Sequence, residues 1–354
     1  MSLRSPSLTG TLLAWFRGKN RRLPWRGTSD PYRIWVSEVM LQQTTVGAVE
    51  KRYGAFVRRF PDLTALARAS EESVLAAWSG LGYYARARNL RRAAQRILRE
   101  HGGVIPRDPR ALRALPGFGE YMAAAVASLA FGERLPAAEA NVERVLSRVF
   151  ALPGTAGSRE LRERVLARAR ALLPAKRPGD LTAALMDLGQ TICTPRRPVC
   201  AICPLAADCE ACGLGDPEAW PRRRPKPPSV RLSLAAAVAE EDGRFLLVRR
   251  RSTWLNGLWE FPCGEAESDA ASRANLEGRL RALGLELSGE PALGTARHTV
   301  VNRRIEITVF RARVRKASER PAGPRARWFR PADLAGAAIP TLTRKVAAAA
   351  GRSG

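Results

Sequence analysis

The sequence predicts a two-part chain, an all-α N-terminal region followed by an α+β C-terminal domain, and three observations carry that expectation. From Leu8 to about Arg170, apolar residues recur at three- and four-residue intervals between Pro and Gly signals, and no β-rich stretch interrupts them. From Trp220 to Ser229 the segment WPRRRPKPPS carries too much proline to hold a helix. Beyond it, LSLAAAVAEEDGRFLLVRR reads as a strand, an Asp242-Gly243 turn and a second strand, and RIEITVFRARVRK alternates as another.

In chain order, helices are expected at 62–69, 71–79, 85–100, 109–115, 121–130 and 142–150, several behind Ser, Asp or Asn caps. A further helix is expected at 275–283, inside the β-rich part. The domain reading is a helical domain over 1–215, a Pro/Arg-rich connector over 216–230 and an α+β domain over 231–354. No internal repeat and no long low-complexity tract is found. A length of 354 residues accommodates these domains, at ~150 residues for a typical one.

Charge points to a polyanionic partner. Lys plus Arg number 59 against 33 Asp plus Glu, for a net charge of +26, a balance that favours nucleic acid. Almost all the cations are Arg, which also fits coding from a GC-rich genome, so charge alone does not decide the matter. No apolar run is long enough to span a bilayer, and MSLRSPSLTG lacks the apolar centre of a secretion signal. The expectation is a soluble intracellular protein without membrane contact. With six Cys in a reducing compartment, a metal explains cysteine clustering better than disulfides do.

Cys193, Cys200, Cys203 and Cys209 follow the spacing C-x6-C-x2-C-x5-C. Four soft thiolates in so short a loop can surround one inorganic centre. Zinc competes for such a set, but structural zinc sites usually pair two CxxC knuckles and this loop has one. Cys212 and Cys263 fall outside the spacing and are read as ordinary thiols. Behind MDLGQTICTPRRP, the loop resembles the 4Fe-4S loop of the endonuclease III and MutY DNA glycosylases. The resemblance implies a 4Fe-4S cluster and makes Arg196 and Arg197 candidates for the DNA backbone.

Leu115-Pro116-Gly117-Phe118-Gly119, followed by EYMAAAVASLA, resembles the helix-hairpin-helix motif. Its glycines permit a tight turn, and the amides opening the next helix can face a phosphate. WVSEVMLQQTTV (35–46), LGYYARARNL (81–90) and PWR (24–26) are similar to MutY segments, so the likeness extends from about residue 12 to 350. The chain is thereby identified as a member of the adenine DNA glycosylase family of the helix-hairpin-helix superfamily.

That membership implies double-stranded DNA with a mispaired or oxidised base as partner, and roles for particular residues. Glu38 becomes the acid that protonates the leaving adenine, and on an apolar helical face desolvation raises its pKa as an acid catalyst requires. Glu139 becomes the anion facing the sugar's developing cation, with Asn141 retained beside it. Bifunctional members carry a Schiff-base Lys where this chain has Tyr121, so hydrolysis without strand cleavage is expected. Gln42 and Tyr83 match intercalating positions, which fill the gap left by an everted base. Trp25 and Arg26 match positions lining the extruded adenine. Arg86 and Arg88 are the preferred phosphate contacts on the 85–100 helix, and Tyr84 is read as core.

Three departures stand out. The family's D-G-N-V segment is Glu139-Ala140-Asn141-Val142 here, Ala183 replaces an adenine-bonding Gln or Glu, and the Phe-Ser-His that senses 8-oxoguanine is Val300-Val301-Asn302. Val300 is read as a wedge and Asn302 as a shorter substitute for His. The C-terminal domain, with Leu258-Trp259-Glu260-Phe261-Pro262, resembles a Nudix-like lesion-recognition domain. Glu277-Gly278-Arg279-Leu280-Arg281-Ala282 lacks the clustered acids that hold Mg²⁺ in a Nudix hydrolase. Adenine excision opposite 8-oxoguanine or guanine is the leading reading. The alternatives are a divergent paralogue with another base or opposite-base preference, or a non-catalytic iron-sulfur DNA-binding protein. A monomer in a bacterial-type cytoplasm, associated with the nucleoid, is expected.

Overall fold

The computed structural model describes residues 7–19, 21–225, 227–251, 255–289, 291–315, 321 and 323–351. The N-terminal hexapeptide, Lys226 of the connector and Lys316 at the end of RIEITVFRARVRK lie outside them. The chain forms two compact units, Met1–Arg68 with Asn89–Pro225, and Ala69–Arg88 with Lys226–Gly354.

The helices of the N-terminal half are α1 (Leu8–Lys19), α2 (Pro31–Leu41), α3 (Val46–Arg59), α4 (Leu63–Arg68), α5 (Glu71–Ala77), α6 (Ala85–Glu100), α7 (Pro109–Arg113), α8 (Glu120–Phe131), α9 (Ala140–Val149), α10 (Arg159–Leu172), α11 (Pro178–Thr191) and α12 (Glu210–Gly213). Local chemistry sets their starts. Asp30 caps α2, accepting from the Tyr32 amide at 2.9 Å, with Pro31 pre-set for the first turn. Asp108 does the same for α7 ahead of Pro109. The core of the first unit follows from spacing: Val142, Val145, Leu146 and Val149 form one stripe on α9 and pack against Leu161 and Val165 of α10 and Leu181, Leu185 and Leu188 of α11. Where α11 meets α9 the contact tolerates no side chain, since a Cβ on Gly189 would stand 2.7 Å from Asn141 Cβ. That close approach fixes the first turn of α9, which carries Glu139 at its start.

The second unit is built on strands β1 (Val230–Glu241), β2 (Arg244–Arg249), β3 (Trp259–Glu260), β4 (Cys263–Ala266), β5 (Leu285–Leu287), β6 (Gly294–Val300), β7 (Arg303–Val314) and β8 (Ala326–Phe329), with helices α13 (Asp269–Ala282) and α14 (Thr341–Ala349). Leu234 to Ala239 of β1 are all buried, which explains an apolar run without alternation. β1 pairs parallel with β7 from Val230↔Arg303 to Ala239↔Ala312, and antiparallel with β2 and β4. β6 and β7 form a hairpin closed by the pair Val300↔Arg303. The expected helix at 275–283 is the second half of α13, which starts earlier because Ser268 caps it through the Ala271 amide.

Residues 69–88, read from sequence with the helical domain, cluster with the sheet. Glu72 of α5 accepts from Trp259 Nε1 at 3.0 Å and pairs with Arg249 and Arg327, and Ser79 Oγ and Tyr84 OH both donate to the Ile339 carbonyl. Periodicity shows that a helix has an inward face, not which core that face meets.

Candidate active site and cysteine pocket

Glu38 sits in the third turn of α2 among Val36, Val39 and Met40, and is only 6% exposed. Tyr121, one residue into α8, donates its hydroxyl to Glu38 Oε2 at 2.7 Å. Burial pushes the Glu38 carboxyl up to about 7, the Tyr121 hydrogen bond pulls it partly back, and the negative charge of Glu139 raises it again. The phenol itself is raised well above its usual range, chiefly by burial and then by the Glu38 charge. Tyr121 therefore stays protonated and acts as a donor. With Oε2 committed as an acceptor, Oε1 is the oxygen that can carry an acid proton.

Glu139 caps α9. Its Oε1 accepts from the amides of Asn141 at 2.8 Å and Val142 at 3.3 Å, so a carboxylate is held by a helix N-terminus. One oxygen does the capping, which leaves Oε2 outside the cap. Asn141 Oδ1 accepts from Arg144 Nη2 at 2.7 Å, and the same nitrogen reaches the Gly189 carbonyl at 2.8 Å. Asn141 thus works through its amide on Glu139 and through its side chain on Arg144.

The loop between α7 and α8 places the hairpin glycines. Gly117 has φ +81°, and a Cβ there would meet Asn89 Cβ at 2.8 Å, so both conformation and space demand glycine. Gly119 is different. It caps α8 without a side chain, and a Cβ there would meet nothing within 4 Å. Among the described residues nothing needs Gly119 to be bare, whereas a backbone approaching from outside would.

Other sequence candidates are placed as follows. Trp25 is buried and packs edge-on against Tyr53 at 5.4 Å. Arg26 pairs with Asp187 Oδ1 at 2.5 Å and lies over Phe16. Ala183 is half-buried on α11, and Gln42, also half-buried, ends α2, its amide bonded to the Glu38 carbonyl at 3.3 Å. In the second unit Tyr83 is 48% exposed with φ +45°, an uncommon backbone for a bulky residue. Arg86 is not extended toward solvent as a phosphate contact would be: it donates to the carbonyls of Leu81 and Gly82 and lies over the rings of Trp78 and Tyr83. Arg88 is likewise engaged inside the protein, by Glu71 at 2.9 Å and the Asn256 carbonyl. Tyr84 is core, 5% exposed.

At the β6–β7 tip, Val300 is half-buried in the sheet pair and Asn302 Nδ2 donates to the Pro228 carbonyl at 3.0 Å. Val301 is the exposed apolar tip, 74% accessible at φ +55°. A β-branched residue in that conformation is costly, and of the two valines it is Val301, not Val300, that the turn exposes.

Cys193, Cys200, Cys203 and Cys209 line one pocket with about 370 Å³ of empty space, part of it open to solvent. Among the described residues no three His, Cys, Asp or Glu side chains converge as a single metal ion requires. Four soft thiolates lining one pocket are a donor set of the kind an iron-sulfur cluster takes. Arg148 supplies a second fit. It is 2% exposed, yet its hydrogen bonds go to Cys193 Sγ at 3.3 Å and to the carbonyls of Thr194, Pro195 and Trp220. A buried guanidinium bonded to carbonyls and sulfur calls for a compensating anion, and thiolate-bound iron-sulfur centres are anionic. Arg196 and Arg197 are exposed on the same loop.

Three of these residues escaped the sequence reading. Arg148 interrupts the apolar α9 stripe, which was a usable signal; Asp187 had none beyond lying in MDLG; Cys212 also lines the pocket but lies off the expected spacing.

Residues 36–170 match the HhH-GPD superfamily base excision DNA repair protein family, and residues 234–349 match the NUDIX domain family. The chain is 34% identical to an adenine DNA glycosylase of Homo sapiens, over 95% of this chain and 72% of that protein. It is 39% identical to one of Mycobacterium tuberculosis (strain CDC 1551 / Oshkosh), over 79% of this chain and 91% of that protein. A thermostable thymine-DNA glycosylase superposes with a TM-score of 0.53 at 30% identity, covering 58% of this chain and 95% of that one. A helical base-excision half that buries a near-neutral carboxylic acid, joined to a NUDIX-like half, and likeness to these proteins over most of its length lead to one assignment: the chain belongs to the adenine DNA glycosylase family and is a DNA glycosylase of base excision repair.

Proposed function

We propose that this enzyme hydrolyses the N-glycosidic bond of adenine mispaired with 8-oxoguanine or guanine, without cleaving the strand. The observation that carries the reading is the Tyr121–Glu38 pair: a buried carboxyl with a pKa of about 7, whose acceptor oxygen is already fixed by a phenol. An acid poised near neutral pH can protonate a departing purine, and such proton transfer contributes ~10²–10⁴-fold. Glu139 then serves the sugar. As its bond to the base lengthens the deoxyribose becomes cationic, and a carboxylate held by helix amides stabilises that charge without reorganising. A phenol at position 121 forms no imine, so no lyase step follows.

The adenine-bonding carboxylate or amide missing at Ala183, together with the apolar Val301 tip, favours a second reading in which the base or opposite-base preference is relaxed. Duplexes with adenine opposite 8-oxoguanine, guanine or thymine, and thymine opposite guanine, test both. Strand breaks that appear only after alkali, with adenine opposite 8-oxoguanine cut fastest, support the first; equal rates across opposite bases support the second; breakage without alkali overturns the role given to Tyr121.

The four cysteines would hold a 4Fe-4S cluster, which supplies electrostatic and structural support for the loop bearing Arg196 and Arg197. Gly119 and the first amides of α8 would face a phosphate, and affinity should fall with salt at ~0.9 log units per log unit for each phosphate neutralised.

A further inference from the structure

Two rows of the C-terminal sheet set an exposed arginine directly opposite a carboxylate. Arg297 pairs with Glu306 at 3.2 Å and Arg313 with Glu286 at 2.8 Å. A third row breaks that pattern: Arg231 of β1 lies directly opposite Arg304 of β7, and Thr299 of β6 flanks Arg304 on its other side. Directly opposed residues project from the same face, on strands ~4.8 Å apart. Two guanidiniums and a hydroxyl therefore stand side by side, and all three residues are exposed. Among the described residues no other cross-strand pair opposes two like charges. Glu306, next along the same face, is already taken by Arg297, and among the described residues no carboxylate pairs with Arg231 or Arg304.

Like charges directly opposite each other cost stability, a cost that an anion shared between them removes. The row is open to such an anion. Farther along the same face α13 covers the sheet, packing Leu276 and Leu280 on Ala235, Ala237 and Phe310, and it leaves this end bare. The row also lies next to the pair Val300↔Arg303 that closes the β6–β7 hairpin, and so adjoins the exposed Val301 tip. Resting on the DNA-binding reading above, we infer that Arg231, Arg304 and Thr299 form a phosphodiester clamp that holds the duplex backbone beside that tip. Each guanidinium stays charged at neutral pH and offers forked N–H groups to phosphate oxygens, while Thr299 adds a hydroxyl donor. Contacts to phosphate carry no base information, so the clamp strengthens binding to every duplex alike.

Titrations of full-length protein with a fully paired duplex and with one carrying adenine opposite 8-oxoguanine, over a series of salt concentrations, test this. R231A/R304A should lower the slope of log affinity against log salt by ~1.8, and R231A alone by ~0.9, equally on both duplexes. Single-turnover excision at saturating protein should be unchanged. R231K/R304K should keep the wild-type slope. Melting separates the clamp from a structural role: R231A/R304A should melt no lower than wild type, since the repulsion is gone. R231E recreates a row of the Arg297–Glu306 kind, so it should stay folded and still lose ~1.8 of the slope. An unchanged slope in R231A/R304A or R231E, or a loss confined to the 8-oxoguanine duplex, overturns the clamp. Wild type that binds neither duplex at low salt sinks the DNA-binding reading itself, which is distinct from a wild type that binds while its double variant keeps the full slope.

Discussion

The hydroxyl of Tyr121 donates to Glu38 Oε2 at 2.7 Å, joining α8 to α2 through the side chain best suited to act as an acid. The bond stabilises the ionised form and so opposes the burial that raises the Glu38 pKa to about 7. Tyr121→Phe should therefore move the pH midpoint of single-turnover excision upward, by about one unit for a charge-assisted bond of ~1.5 kcal/mol. The variant should remain active below pH 7, since the acid itself is intact. A midpoint that falls, or does not move, shows that the phenol does not tune Glu38.

Glu38→Gln separates chemistry from stability. Excision should fall by ~10²–10⁴-fold with the acid gone. Stability should change in the other direction, and the sign follows from the pKa. The folded value, about 7, lies above the ordinary 4.5, so the favourable contribution of the neutral carboxyl is complete below pH 4.5 and lost as pH rises through 7. At pH 8 the native wild type buries an ionised carboxylate at a cost of ~3 kcal/mol. The melting temperature of the Gln variant should exceed that of wild type at pH 8, with a gap that closes toward pH 5. A constant gap across that range contradicts the assignment of the raised pKa to Glu38.

How much of this was legible in the sequence depended on which physical signal each feature leaves. α6 was readable to the residue because Ala85–Glu100 carries an unbroken amphipathic period, and the β1–β2 turn because Asp242-Gly243 stands between two apolar runs. Glu38 and Tyr121 were identifiable singly, but their hydrogen bond spans 83 positions and depends on how α2 packs on α8. Arg86 and Arg88 read as open cations because a sequence lists charges without partners; the carbonyls of Leu81, Gly82 and Asn256 that engage them have no side-chain signature. Which valine of the β6–β7 tip is exposed, Val301 and not Val300, is set by the register of a two-residue hairpin turn, which the sequence does not display.

Glu139 caps α9 and, in the proposed reaction, serves the sugar, and its variants should divide the two roles. Glu139→Ala removes both the cap and the anion, so it should cost ~1 kcal/mol of stability and most of the excision rate. Glu139→Asp shortens the arm yet retains a residue type favoured at helix caps. If the longer side chain displaces the carboxylate from the sugar, Asp should raise adenine excision at nearly unchanged melting temperature. A fall in rate shows instead that the backbone at Glu139, with φ −112° and ψ −176°, is adapted to Glu.

Tyr83 stands exposed, with Arg86 beneath its ring at 5.5 Å. Burial lowers the Arg86 guanidinium to about 10, which is still charged at neutral pH. Tyr83→Ala should weaken duplex binding by ~1–3 kcal/mol, the range for a stacked base, and leave the salt dependence unchanged because no phosphate contact is lost. Arg86→Ala should weaken binding less and lower the stability of the protein, since its bonds run to Leu81 and Gly82. A reduced salt slope for Arg86→Ala restores it as a phosphate ligand.

Arg148 gives a prediction whose sign depends on what fills the cysteine pocket. In the loaded protein its buried guanidinium faces an anionic centre through Cys193 Sγ, so Arg148→Met should reduce retained iron by ~10–100-fold, as loss of a supporting group does, and lower the melting temperature. In protein stripped of metal the same charge is buried among thiols and carbonyls with the Glu218 carboxylate acting on it, and an apolar side chain of similar length is tolerated there. Arg148→Met should then melt no lower than stripped wild type. Thermal melts of both variants with and without iron decide the point: a destabilisation of equal size in the two states means that Arg148 serves its carbonyl bonds alone and that the pocket does not need its charge.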